Sequence, residues 1–273
     1  MSDQNECYFC GNPANTVEHV PPRCLFPESK DVLGHDLRKN LITVPSCEIH
    51  NSNKSDDDEF LMFSLCGIVG SGPAGDIQRW KKVERARLRR KWELADVILQ
   101  KIDDIEVIEQ EDGSLKDVYW GAPKIDRLKK CFEHIARGIH LHHYGFRFIG
   151  EVNSHLEYLV KQTGNMKSDY ERFDYAIERD YKDMPSFGSN PIVFSYQASE
   201  KDRFGLYGFR FRFYEGLRVC CSFFPENTVI PEHPLEALIA KGEPFYWEEN
   251  GKIFLYNATP DEDKRPESKQ PDQ

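Results

Sequence analysis

Three short clusters near the start of the chain carry side chains able to do chemistry. Cys7-Tyr-Phe-Cys10 comes first, Glu18-His19-Val20-Pro21-Pro22 follows, and Cys47-Glu-Ile-His50-Asn51 closes the set, with Lys54 just beyond. A C-x-x-C pair and a C-x-x-H pair supply four soft or borderline donors, enough to close one tetrahedral zinc site. Glu18, His19 and Asn51 are then left over on the same clamp. Glu18 and Asn51 carry oxygen donors of the kind Mg2+ and Mn2+ prefer. His19, with an ordinary pKa near ~6.5, can take a proton from an attacking water near neutrality. Phosphodiester hydrolysis needs such an activated water, together with positive charge on the developing oxyanions and the leaving alkoxide.

These groups need elements to hold them. The apolar, β-branched run 41–45 predicts a strand feeding directly into Cys47. Lys54 to Leu65 has no Gly or Pro and predicts a helix. Asp56 to Glu59 sit in its earlier half, where negative charge suits the helix dipole, and read as a solvated face. In an extended strand the neighbours Glu18 and His19 point to opposite sides.

Cys7-x-x-Cys10, Glu18-His19-x-Pro21-Pro22, Asn40-Leu41 before a short strand, and Cys47-x-x-His50-Asn51-x-x-Lys54 together resemble an HNH endonuclease module. The likeness covers residues 5–62, about a fifth of the chain. It implies a zinc-stapled ββα-metal (treble-clef) unit with a structural zinc on Cys7, Cys10, Cys47 and His50. It further implies a catalytic Mg2+ or Mn2+ on Glu18 and Asn51, and His19 as general base. Asn40 would brace the loop that orients the base, Lys54 would meet a phosphate, and a local backbone distortion would turn Glu18 and His19 toward one site. Three positions depart from the family's commoner choices. His50 replaces a fourth cysteine, Glu18 an aspartate, and Asn51 a third histidine, which implies modest affinity for the catalytic metal. Structural roles stay open beside these: Asn51 as a helix cap, Asn40 as a turn residue, and Glu18-His19 as a surface pair in a module that only binds.

The rest of the chain sets the context. With 39% hydrophobic and 30% charged residues, and 18 Phe and 12 Tyr for a core, the 273 residues read as globular. No run of 18 apolar residues predicts a membrane span, and the start lacks the pattern of a signal peptide, so a cytoplasmic location is expected. Five of the eight cysteines, Cys24, Cys66, Cys131, Cys220 and Cys221, are scattered and read as buried thiols. A net charge of −10 argues against a basic nucleic-acid coat. Arg79 to Lys91, however, holds eight Lys or Arg against the single acid Glu84. Arg85 and Arg89 there could track phosphates, or the segment could be a solvated helix balancing the acidic stretches.

Breaker-rich Gly67 to Gly75 predicts a domain boundary. Beyond it the sequence predicts one long helix over 77–103 with Ile77, Trp80, Val83, Leu88, Trp92, Ala95 and Leu99 as its apolar stripe. A strand pair over 104–120 turning at Glu111-Asp112-Gly113 follows, then a helix over Asp126 to His143 stopped by Gly145, and a further helix over 151–163. Alternation over Ile192-Gln197, Phe204-Tyr214 and Leu217-Phe224 predicts antiparallel strands. His134, His140, His142 and His143 read as packing at a helix end rather than a second metal site. The alternating Phe and Arg of 204–214 read as sheet packing rather than a single-strand binding surface.

The expected fold is α+β: a zinc module over 1–70, an α+β domain over 71–258 for targeting, partner binding or regulation, and a disordered tail over 259–273. The expected activity is metal-dependent cleavage of DNA, with mobile-element, restriction or anti-phage roles as the family setting. An RNA-directed nuclease and a non-catalytic zinc module binding nucleic acid or protein are the alternatives. A homodimer or a protein partner would be reached through the C-terminal domain, and no membrane partner is expected.

Overall fold

A computed structural model describes residues 6–68, 70–90, 94–109, 115–158, 165–201, 205–226, 245–249 and 252–256. The expected turn at Glu111-Asp112-Gly113 and the expected tail lie outside the described residues. The fold is α+β, mixing helices with antiparallel sheet, and carries a Cys/His cluster near its start. Among the described residues no helix is long and apolar enough to cross a membrane.

The first unit is a hairpin followed by a helix. Strand β1 (Thr16–His19) pairs antiparallel with β2 (Thr43–Ser46), placing Glu18 opposite Val44 and His19 opposite Thr43. The expected strand is thus displaced toward Cys47, and Leu41 and Ile42 precede it. Helix α1 (Ser55–Gly67) follows, and every residue from Phe60 to Cys66 is buried. A helix covered on all sides shows no apolar stripe, because each face meets a neighbour.

Gly67 to Gly75 does not interrupt the core. One apolar cluster runs from Cys7 and Tyr8 through Phe60 and Leu65 to Phe223. The Gly72 N–H donates to the Tyr214 carbonyl at 2.8 Å, and the Tyr214 hydroxyl donates to the Leu25 carbonyl at 2.7 Å. A Cβ on Gly216 would lie 2.3 Å from the Gly70 carbonyl oxygen, so only glycine lets the two backbones meet there.

The single helix expected over 77–103 is instead a broken run. Helix α2 (Pro73–Gln78) passes through a π-type turn (Arg79–Val83) into α3 (Glu84–Arg90), and α4 (Leu94–Ile98) leads straight into strand β3 (Leu99–Glu109). The wider turn shifts the phase of the stripe. Val83 and Ala95 are buried, but Trp80 and Leu88 are 69% and 68% exposed. Strand β3 pairs with β4 (Leu115–Pro123) in a two-stranded ribbon, so the expected strand pair begins earlier, at Leu99.

Helix α5 (Ile125–Tyr144) matches its expectation and stops at Gly145, whose φ of 78° lets its N–H cap the Leu141 carbonyl at 2.9 Å. Residues 150–156 form strand β5 (Gly150–Leu156), not the expected helix. Ser154 and Leu156 alternate inward there, and pairing with β9 fixes the extended backbone. The main sheet runs β5-β9-β8-β7-β6, with β6 (Ser186–Asn190), β7 (Phe194–Ala198), β8 (Tyr207–Phe213) and β9 (Leu217–Pro225), all antiparallel. Phe209, Phe211 and Phe213 of β8 are fully buried in the main core, where Phe213 meets Phe132 of α5. On the opposite face, helix α6 (Asn165–Tyr181) packs Ile177 and Tyr181 on Cys220, while Cys221 joins the main core. Buried Arg210 is held there between Glu157 at 2.5 Å and Glu178 at 2.6 Å. A small hairpin, β10 (Phe245–Glu249) and β11 (Lys252–Tyr256), completes the described chain.

Candidate metal centre

Cys7, Cys10, Cys47 and His50 converge. Their donor atoms all lie within 4.8 Å of one another. Cys7 Sγ is 3.6 Å from His50 Nδ1, Cys47 Sγ is 3.3 Å from the same nitrogen, and the Cys10 and Cys47 sulfurs are 3.9 Å apart. Tetrahedral zinc with Zn–S bonds of ~2.3 Å has edges of about 3.5–3.8 Å, so these donors fit the ion. Burial acts to raise the Cys7 thiol, yet backbone amides of Cys10, Cys47 and Phe9 outweigh it and hold the pKa below its ordinary value. A thiolate-favouring nest of this kind suits metal binding. The four residues could hold a zinc ion.

The corner is docked on α5 through its two intervening residues. Phe9 is stacked between His50 and His134, at ring distances of 4.5 and 4.3 Å, and the Arg137 guanidinium lies 5.0 Å from its ring centre. The Tyr8 hydroxyl bonds His134 Nδ1 at 2.9 Å. His134 is therefore a packing residue, though it lies in the middle of α5 and not at the helix end. His140 is also buried, between the Phe146 carbonyl and the Tyr207 hydroxyl. Among the described residues only Cys7, Cys10, Cys47 and His50 form a donor cluster of three or more His, Cys, Asp or Glu.

Glu18 and His19 border one cavity, large enough for about one water molecule, with Tyr8, Lys54, Asp57, Asp58 and His134 in its wall. Glu18 is only 4% exposed and ion-pairs with Lys54 at 2.7 Å; Lys54 in turn reaches Asp58 at 2.5 Å. Burial pushes the Glu18 carboxyl up, more than Lys54 pulls it down, and Asp58 is raised for the same reason. Burial works to lower Lys54, but Asp58 and Glu18 overcome it and keep the ammonium charged. Lys54 is thus an interior counter-ion, 7% exposed, and does not present the surface phosphate contact expected of it. His19 is half-buried; burial first, and then the nearby Arg23 guanidinium, lower its pKa and keep the imidazole neutral around pH 7.

Asn51 sits apart from this cavity, and its amide nitrogen donates to the Val17 carbonyl at 3.1 Å. Glu18 is thus engaged by Lys54, and Asn51 is tied through its amide nitrogen to the strand that carries Glu18. Asn40 is exposed with a φ of 55°, the left-handed turn conformation that asparagine tolerates. Arg85 and Arg89 are exposed on α3.

Asp57, Asp58 and Arg23 were not singled out by the sequence. The acidic run of α1 is only partly a solvated face: Asp56 is exposed, but Asp58 holds Lys54, and Asp57 binds Arg127 at 2.8 Å. The i,i+4 spacing of Lys54 and Asp58 was the available signal. Comparison with known protein families, with curated proteins and with solved structures finds nothing that matches the chain.

Proposed function

We propose that the chain is an HNH-type phosphodiesterase acting on DNA, with its N-terminal hairpin and helix as a ββα module stapled by zinc on Cys7, Cys10, Cys47 and His50. The observation that carries this reading is His19 on a water-sized cavity beside the candidate zinc corner, with burial lowering its pKa. A neutral imidazole can accept the proton of an attacking water. Exposed Arg23, close enough to depress His19, is placed to meet the phosphate and balance charge on its oxygens. Glu18, fixed by Lys54, positions the strand that carries His19. No step is assigned to Mg2+ or Mn2+, because the Glu18 carboxylate is paired with Lys54.

The test is digestion of supercoiled plasmid, linear DNA and RNA by wild-type, His19→Ala and Arg23→Ala proteins, with and without added divalent cations. Nicking of plasmid is expected, abolished in His19→Ala at unchanged thermal stability and weakened at least tenfold in Arg23→Ala. Undiminished cutting by His19→Ala would sink the mechanism. DNA binding without cleavage under any condition would favour a non-catalytic module, the reading that the locked Glu18–Lys54 pair supports.

A further inference from the structure

Two exposed patches of opposite character stand next to each other in the sequence. Every side chain of β3 from Gln100 to Val107 is exposed, and so is Glu109. Ile105 and Val107, 53% and 62% exposed, share one face of the ribbon with Glu109. Asp103, Asp104, Glu106 and Glu109 outnumber Lys101, so the strand is acidic. The second patch lies over the π-type turn and α3. Trp80 and Leu88 are exposed there among Lys81, Arg85 and Arg89, whereas Lys82 and Arg87 are taken up by Glu28 and Glu84.

A two-stranded ribbon with apolar side chains in water is marginal unless something covers it. The helical patch offers what the ribbon lacks: apolar surface ringed by the opposite charge. Trp80 and Leu88 span about 12 Å along a helix, within the ~20 Å of ribbon from Asp103 to Glu109. Among the described residues nothing covers either patch, so they are not each other's partner within one copy. We propose that the two faces meet across a two-fold axis between copies of this chain, the acidic ribbon of each copy lying on the basic, Trp80-bearing helical face of the other. Such an isologous pairing buries both patches twice over and leaves neither unpaired. A nucleic-acid strand would neutralise the basic face but would leave Ile105 and Val107 in water. The inference is independent of the nuclease reading.

The test uses the full chain, its mass followed by light scattering and sedimentation at about 50 and about 500 mM salt, either side of strong screening. Twice the 31.8 kDa of one chain is expected at low salt, with weaker association at high salt. Arg85→Glu/Arg89→Glu and Glu109→Lys, the latter on the face that carries Ile105 and Val107, should each be monomeric alone, since each sets like charge against like. Mixed one to one, they should form a heterodimer, because both contacts then pair opposite charges. That rescue cannot come from misfolded chains. A wild-type monomer, a dimer indifferent to both reversals, or a mixture that stays monomeric would overturn the proposal. Loss of polyanion binding in Arg85→Glu/Arg89→Glu of a monomeric protein would instead make the face a nucleic-acid surface.

Discussion

Lys54 between Glu18 and Asp58 is a buried cation serving two buried anions, and that imbalance sets its mutational behaviour. Removing the ammonium strands both carboxylates, whereas removing one carboxylate leaves Lys54 with the other. Lys54→Met should therefore cost about 3 kcal/mol or more at neutral pH, the range for breaking a buried pair. Glu18→Gln should cost clearly less. Acidification should restore part of the Lys54→Met loss, because protonation neutralises the stranded acids. Urea titrations of the three proteins at pH 7 and pH 5 measure this, and equal losses for both variants would contradict the arrangement. Of these residues the sequence marked Glu18 and Lys54, but not their mutual contact. Helix α1 is buried from Phe60 through Cys66, so no stripe in its sequence told which way Lys54 and Asp58 face. The candidate zinc ligands were legible because zinc demands specific donors at short spacings, and a single 3-10 turn over Glu48–His50 brings Cys47 and His50 together locally.

Among the elements, α5 was the most legible, with its apolar positions recurring at three and four and glycine at its end. The run from Arg79 to Glu109 was the least. It contains no Gly or Pro, and its Lys, Arg and Glu residues suit a helix, yet the chain turns extended at Leu99. What decides there is pairing with β4, a long-range choice that local periodicity does not encode. Helix α5 also carries a pH dependence. His140 is buried, and burial lowers its pKa to about 4 despite the Phe146 carbonyl, which favours the charged form. Its folded value lies below the unfolded ~6.5, so its contribution is whole above pH 6.5 and is lost as pH falls toward 4. The full difference is on the order of 3 kcal/mol. Melting temperatures between pH 7 and pH 4 should fall less steeply in His140→Gln than in wild type. Parallel curves would show that this imidazole does not drive the acid response.

At the scale of the molecule, the core passes through the candidate zinc corner, both faces of α1 and the main sheet without a break. The expected boundary at Gly67–Gly75 was read from glycines that in fact admit close backbone approaches to Tyr214 and Gly216. Loss of metal should then be felt throughout. Cys47→Ser, or exhaustive chelation, should release zinc and lower the melting temperature by about 10 °C or more, in one transition rather than two. A separate early transition confined to the N-terminal residues would show that the two parts unfold independently.

The docking of Phe9 and Tyr8 against His134 has a consequence for the order in which the chain assembles. The four metal donors all lie within the first 50 residues, so they can gather around an ion early. Tyr8 waits for a partner 126 positions later, and the Leu25 carbonyl for one 189 positions later. Contacts that span such loops close late, after the entropy of the intervening chain has been overcome. During synthesis the N-terminal corner should therefore exist for some time as a metal-bound but undocked piece, with Tyr8 and Phe9 exposed until His134 emerges and the Leu25 carbonyl unpaired until Tyr214 follows. Chains truncated before that tyrosine should bind zinc and still aggregate, which separates capture of the ion from completion of the fold.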